Sequence, residues 1–214
     1  MDCCRSARRY DAVFGARFAR RAAQRYRRRG LDRSARRIVA FAERHGLEGA
    51  TVLEVGGGVG EIEIELLKRG AARAVCLELS PAYDAEAARL VREAGIDPAR
   101  VERRLHDLAA APGDVEPADI VVLHRVVCCY PDYERLLTAA GDHARRALVY
   151  SHPPRNAVSR AFLAVQNGAL RVMGKEFRAF AHPPGAMLAV AEARGLRRTY
   201  AHRGIPWHVA GLAR

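Results

Sequence analysis

Apolar and polar positions alternate along this chain with two periods, one of helices and one of strands. Residues 16–45 repeat apolar positions at helical spacing and read as helix in two pieces, broken near Gly30-Leu31-Asp32. Asp32 is a ready N-cap for the second piece, in which Ile38, Phe41 and Ala42 recur on one face before His45-Gly46 ends it. TVLEV at 51–55 is a short β-branched run stopped by glycines, and it reads as a buried strand. EIEIELLKR at 61–69 reads as a helix ending at Gly70. The pattern then repeats: strand-like AVCLEL at 74–79, helix over 83–94 with Gly95 as its stop, and a weaker strand, ARVERRL, at 99–105. ADIVVLHRVV at 118–127 begins as a strong buried strand, 132–145 is helical, and RALVYSH at 146–152 is another strand. Strands alternating with helices of this length predict a parallel sheet with helices on both faces.

After the fifth strand the pattern changes. Pro153-Pro154 and Pro183-Pro184 bound a segment, 155–182, that is helical at 157–173 and too long for a simple connection. It is expected to be a lid inserted over one end of the sheet, with Phe162, Leu163, Leu170, Met173, Phe177 and Phe180 as apolar material. A helix over 184–194, Gly195 and two strand-like runs, 197–203 and 207–213, close the chain. The expectation is an α/β, doubly wound, Rossmann-like fold with a mostly parallel seven-stranded sheet. Residues 1–214 would form one domain, with a helical extension (1–46), a ligand-binding core (50–150) and the lid.

Composition narrows the class. Half of the 214 residues are hydrophobic, as in a globular protein. No apolar run approaches the ~20 residues of a membrane span. The N-terminus has no apolar stretch of secretory type, so the cytoplasm is the expected location. Five cysteines make an odd count, arranged as Cys3-Cys4, Cys76 and Cys128-Cys129 without C-x₂-C spacing, so neither a disulfide framework nor a structural metal is expected. The net charge is +12, yet only Lys68 and Lys175 are lysines and all the other basic residues are arginine. Asn and Gln are nearly absent, a pattern of GC-rich coding that explains part of the basicity. The charge is lopsided nonetheless, because residues 1–45 hold +10 of the +12.

The sharpest chemical signal is Glu54-Val55-Gly56-Gly57-Gly58-Val59-Gly60, between a predicted strand and a predicted helix. Glycines there let the backbone turn tightly and aim the free N–H groups of a helix start at a ligand. A dinucleotide fingerprint needs a small residue at the sixth position from Gly56, where this chain has Glu61, and no G-K-[ST] ending marks a phosphate loop. What remains is acid-x-G-x-G-x-G. In this motif, and over about residues 50–150, the sequence resembles the class I S-adenosylmethionine-dependent methyltransferases.

The resemblance implies S-adenosyl-L-methionine as cofactor. That molecule carries a sulfonium and an ammonium and no phosphate, so its pocket should offer carboxylates. Carried over position by position, Gly56, Gly58 and Gly60 shape the loop and Glu54 stands near the methionine amino group. Glu78, 24 residues on, faces the ribose hydroxyls beside Leu79, and Asp107 reads the adenine amino group with Leu108 against the ring. Methyl transfer is an in-line displacement, so the acceptor should meet residues after the fourth strand, in LHRVVCCYPDY: His124, Arg125, Cys128, Cys129 and Tyr130. His124 also borders the cofactor. His124, Tyr130 and His152 are the candidate catalytic bases, followed by His182. Cys128, Cys129, Tyr130, Phe162 and Phe177 are the candidate acceptor contacts, the cysteines chiefly as packing that shapes the pocket. Tyr10, Phe14, Phe18 and Tyr26 of the N-terminal helices would cover the cofactor from the other side. Elements of LHRVVCCYPDY also resemble bacterial proteins labelled magnesium-protoporphyrin methyltransferases, in that segment alone, and the porphyrin is not carried over. A small hydrophobic or aromatic acceptor is the leading expectation. Nucleic-acid methylation through the basic N-terminal helices is the alternative. A nicotinamide oxidoreductase and a non-enzymatic binding domain rank below both.

Overall fold

The computed structural model describes residues 10–214, so Cys3-Cys4 lies outside the described residues. From Ala16 onward the chain forms α1 (Ala16–Arg29) and α2 (Arg33–Arg44), separated at Gly30. Asp32 caps α2 as its position promised, its carboxylate accepting the N–H groups of Ser34 at 2.8 Å and Ala35 at 2.9 Å. Such a cap contributes about 1 kcal/mol. There follow β1 (Thr51–Val55), α3 (Glu61–Lys68), β2 (Arg73–Glu78), α4 (Asp84–Glu93), β3 (Val101–Leu105), β4 (Ala118–Leu123), α5 (Tyr133–His143) and β5 (Ala144–His152). The chain continues through α6 (Ala157–Val172), α7 (Pro184–Glu192), β6 (Arg197–Arg203) and β7 (His208–Ala213). Among the described residues, no helix is long and apolar enough to cross a membrane.

The seven strands lie in the order β3-β2-β1-β4-β5-β7-β6. The first five are parallel, and β7 runs antiparallel to both β5 and β6. Period-two alternation within the strands builds two cores. Val52, Ile120, Val122 and Val149 face α1–α4, while Leu53, Val121, Leu123 and Leu148 face α5 and α7. The strand order reverses between β1 and β4, which opens a crevice at their carboxyl ends.

Strand β4 stops at Leu123, four residues before the end that its apolar pattern suggests. Arg125 turns the chain out of the sheet with φ +61°, and its N–H is taken by Ser151 Oγ at 2.9 Å. A side chain of the neighbouring strand thus replaces a ladder bond, and Val127–Cys129 coils into a 3-10 turn. The insertion after β5 is present as α6 and a returning coil. Phe177 of that coil is buried edge-on against Tyr10 and Phe14, with ring centroids 5.8 Å and 5.1 Å away.

Candidate active site

The loop from β1 to α3 carries Gly56, Gly58 and Gly60 at φ +67°, +58° and +81°, a backbone that L side chains rarely adopt. A Cβ on Gly56 would stand 2.5 Å from Val126 Cγ2, so glycine is required there for space as well as conformation. Above this loop, at the carboxyl ends of β1, β2 and β4, lies a cavity of about 500 Å³. Its walls include Glu54, Glu78, Asp107, His124 and, from the N-terminal segment, Phe14 and Phe18.

Glu78 ties the far side of the loop. Its Oε2 accepts the Gly58 N–H at 2.9 Å, and its Oε1 accepts those of Leu79 at 2.7 Å and Ser80 at 3.3 Å. Burial pushes its carboxyl up, against the pull of those three donors. Asp107 accepts the N–H groups of Ala109 at 3.1 Å and Ala110 at 3.2 Å, which holds it at the rim after β3. Leu79 and Leu108 supply apolar wall beside the two acids.

Beneath the loop is a buried charge cluster that the sequence pattern did not flag. Glu54 Oε2 accepts the Glu63 N–H at 3.0 Å. Glu63 is fully buried, its Oε1 is 3.2 Å from Arg103 Nη1, and its Oε2 has no partner. Arg103 Nη2 donates to the Gly58 carbonyl at 2.7 Å, so one guanidinium holds both the loop and the carboxylate behind it. Two buried carboxyls share this cation. Burial raises both, Glu54 further through the charges of Glu63 and Glu61, and Glu63 is pushed up to about 7 despite Arg103.

A carboxyl raised in the folded state makes folding take up a proton. The stability it contributes is present below the unfolded value of 4.5 and is lost as pH climbs through about 7. From about pH 5 to about pH 8 the wild type should therefore lose roughly 2–3 kcal/mol of denaturation free energy relative to Glu63→Gln. Parallel pH profiles for the two proteins would remove Glu63 as the titrating group.

At the acceptor end, His124 Nδ1 lies 2.9 Å from Ser151 Oγ. Its Nε2 is 3.9 Å from Asp32, too far for a hydrogen bond, and has no partner. Burial lowers this imidazole below its ordinary 6.5, so the ring is neutral at physiological pH. Asp32 does more than cap α2. Burial acts to raise its carboxyl, but the Ala35 N–H, Ser34 and the Arg125 guanidinium together hold it well below the carboxylate range. Arg125 pairs with Asp32 and lies over the Trp207 ring at 5.1 Å. Arg25 reaches Asp32 at 3.4 Å and Glu61 at 2.8 Å. Glu61, which at the sequence level only argued against a dinucleotide, is a wall residue at the start of α3.

The other expected site residues divide. Cys129 and Tyr130 reach the cavity wall. Tyr130 is no base, because its hydroxyl is 3.1 Å from both Asp107 oxygens and burial with the Asp107 charge raises the phenol. It is a donor that orients Asp107. Cys128 is buried beside its neighbour, with Sγ atoms 3.7 Å apart and both near the Arg125 carbonyl. His152 lies outside the cavity walls, paired across β5–β7 with His208 and 2.9 Å from the Pro153 carbonyl. The difference from His124 is topological, since β4 ends at the open switch point and β5 ends under an antiparallel neighbour. His182 meets the Tyr130 carbonyl at 3.0 Å and stacks on Phe180.

The expectation for the lid needs correction. Phe162 points outward, 67% exposed, and Phe177 is buried behind Tyr10 and Phe14, so neither reaches the cavity. The N-terminal segment is the cover: Tyr10, Phe14 and Phe18 line the cavity, whereas the Tyr26 hydroxyl turns to Glu65 at 2.7 Å.

These residues fit S-adenosylmethionine. The cavity is of ligand size, largely apolar, and furnished with carboxylates on three successive strand ends.

Comparison with known proteins points the same way. A family model described as a methyltransferase domain matches residues 52–147, just under half of the chain. No curated protein matches the sequence. Among solved structures, magnesium protoporphyrin IX methyltransferase from Synechocystis PCC 6803 with bound S-adenosylhomocysteine superposes with a TM-score of 0.72 at 18% identity. That match covers 95% of this chain and 99% of the other. An O-methyltransferase family protein from Burkholderia thailandensis gives 0.71 at 18% identity, covering 96% of this chain and 62% of the other. Human N-acetylserotonin methyltransferase in complex with S-adenosylmethionine gives 0.65 at 13%, covering 96% and 57%. At such identities the superpositions speak for the fold, and the family model with the glycine loop speaks for the chemistry. Residues 52–147 match a methyltransferase domain, and the glycine loop and strand-end carboxylates around its cavity fit S-adenosylmethionine as the cofactor.

Proposed function

We propose that the chain, working as one domain, transfers the methyl group by in-line displacement to a small apolar or aromatic acceptor. The observation that carries this reading is the aromatic wall of Tyr10, Phe14 and Phe18 over the cavity, opposite the neutral His124 ring. When bound, the cofactor supplies a methyl group activated on a sulfonium. Glu54 would face its ammonium, Glu78 would accept the ribose hydroxyls, and Asp107, oriented by Tyr130, would take the adenine amino group. His124 is the base in this reading: it borders the cavity, and with its ring proton on Nδ1 toward Ser151 Oγ the unpartnered Nε2 is free to take the proton of an acceptor hydroxyl.

The test is transfer of labelled methyl to a panel of hydroxylated aromatic compounds, with total transfer RNA as the competing acceptor. Activity confined to the RNA would overturn the small-molecule reading. For the base, His124→Gln should lower kcat by about a hundredfold at saturating acceptor. Turnover within a few-fold of wild type would leave His124 with packing only.

A second reading, RNA methylation, is favoured by one feature. Arg33, Arg36, Arg37 and Arg44 of α2 line a cleft beside Tyr200 of β6. Among the described residues none of these arginines pairs with a carboxylate, and none of the cleft's residues borders the cofactor cavity. The arginines suit phosphate contact, but their separation from the methyl-transfer end supports the small-molecule reading over this one.

A further inference from the structure

Helix α6 has two faces, and only one is accounted for by the fold. Its inner face carries Leu163, Asn167 and Leu170 at helical spacing. The leucines pack with Tyr10 and Phe177, and the Asn167 amide exchanges two hydrogen bonds with the Ala179 backbone, at 2.8 Å and 2.9 Å. These contacts fix the rotation of the helix. The opposite face therefore points to solvent with Val158, Phe162, Val165, Ala169 and Val172, continued by Met173. The five large side chains of this band are 61–89% exposed. The exposed Ala161 and Gly168 border this band, and no charged residue interrupts it. In a chain that is 28% charged, a bare apolar face the length of a helix is not ordinary surface. No described residue covers it.

The charge of the segment that carries the band points to its occupant. Residues 155–178 contain Arg155, Arg160, Arg171, Lys175 and Arg178 against Glu176 alone. A 16-residue helix is about 24 Å long, and a band about 10 Å wide offers roughly 240 Å². A stable dimer needs about 800 Å² from each partner, and a second copy would bring an equally basic segment to meet this one. An anionic lipid surface needs no such area, since it combines apolar insertion with attraction to arginine and lysine.

We propose that α6 lies in the surface of an anionic membrane, its Val158–Met173 band inserted at the headgroup boundary and the basic residues of the 155–178 segment drawn to the headgroups. At 16 residues it rests on the bilayer and does not cross it. The proposal is independent of which acceptor is methylated.

The experiment is co-sedimentation of the whole protein with phosphatidylcholine vesicles containing roughly one third phosphatidylglycerol, and with phosphatidylcholine alone. Wild type should bind the anionic vesicles at least tenfold more tightly than the neutral ones. Phe162→Asp with Val165→Asp should lose at least tenfold on the anionic vesicles, while melting temperature and S-adenosylhomocysteine affinity stay unchanged because both side chains point outward. Arg160→Gln with Arg171→Gln should weaken anionic binding and leave neutral binding alone. Equal binding to both vesicles, no binding to either, or a double-Asp variant that sediments like wild type would each overturn the proposal. So would light scattering that finds a stable dimer dissolved by the double-Asp change, which would assign the band to a second copy.

Discussion

Replacing Glu78 by Ala should weaken S-adenosylhomocysteine binding by about two to three powers of ten. The carboxylate accepts the Gly58 N–H at 2.9 Å and the Leu79 N–H at 2.7 Å, so it shapes the loop that floors the cavity as well as facing it. Hydrogen bonds to a charged group contribute about 1.5–3 kcal/mol each, and two lost together, at the lower end of that range, give roughly 3–4 kcal/mol. Part of that loss is direct, through acceptors no longer offered to the ligand. The rest is the cost of re-forming a loop whose N–H groups have lost their partner. Glu78→Gln keeps the shape and one acceptor, so it should fall between Ala and wild type. Calorimetry with the demethylated cofactor reads both, and an Ala variant that binds like wild type would remove Glu78 from the site.

The largest stability effect should come from Arg103. Its side chain is 14% exposed, and its guanidinium holds Glu63, which is wholly buried, and the Gly58 carbonyl. Arg103→Met leaves a buried carboxylate with no cation, a change that costs about 3–5 kcal/mol. For a chain of this length the melting temperature should drop by roughly 6–20 °C. The cause is testable through the partner. Adding Glu63→Gln to Arg103→Met removes the stranded charge and should restore more than half of the loss. The loss should also be smaller near pH 5, where Glu63 holds its proton, than near pH 8. A double variant no more stable than the single one would show that Arg103 acts by packing and not by charge.

Much of this protein was legible in its sequence because it is written in local patterns. Strands buried on both faces are continuous apolar runs, and helices show their period and their stops, so element types and the doubly wound order could be read without contacts. The β1 loop was legible because glycine at left-handed backbone positions is a chemical requirement that leaves a motif. Glu54, Glu78 and Asp107 followed because each stands at or just beyond the end of a strand, and parallel strands bring those ends together.

The tertiary structure alone decided which of the remaining candidates meet. His124 and His152 look alike in sequence, each at a strand end, and only the antiparallel placement of β7 separates them. Tyr130 carries the same hydroxyl in either setting, and its pairing with Asp107, 23 residues away, makes it a donor instead of a base. The bridge from Arg125 to Asp32 spans 93 positions, and the bond from Tyr10 to the Cys129 carbonyl spans 119. The insertion shows the same limit. Its helix was evident from periodicity, but α6 carries apolar residues on both faces, so the pattern could not say which face turns inward. Asn167 binding the returning chain decides that, and it turns Phe162 away from the cavity that Tyr10, Phe14 and Phe18 enclose. Local spacing encodes backbone conformation, whereas the meeting of side chains distant in sequence depends on how finished elements pack, which no spacing records.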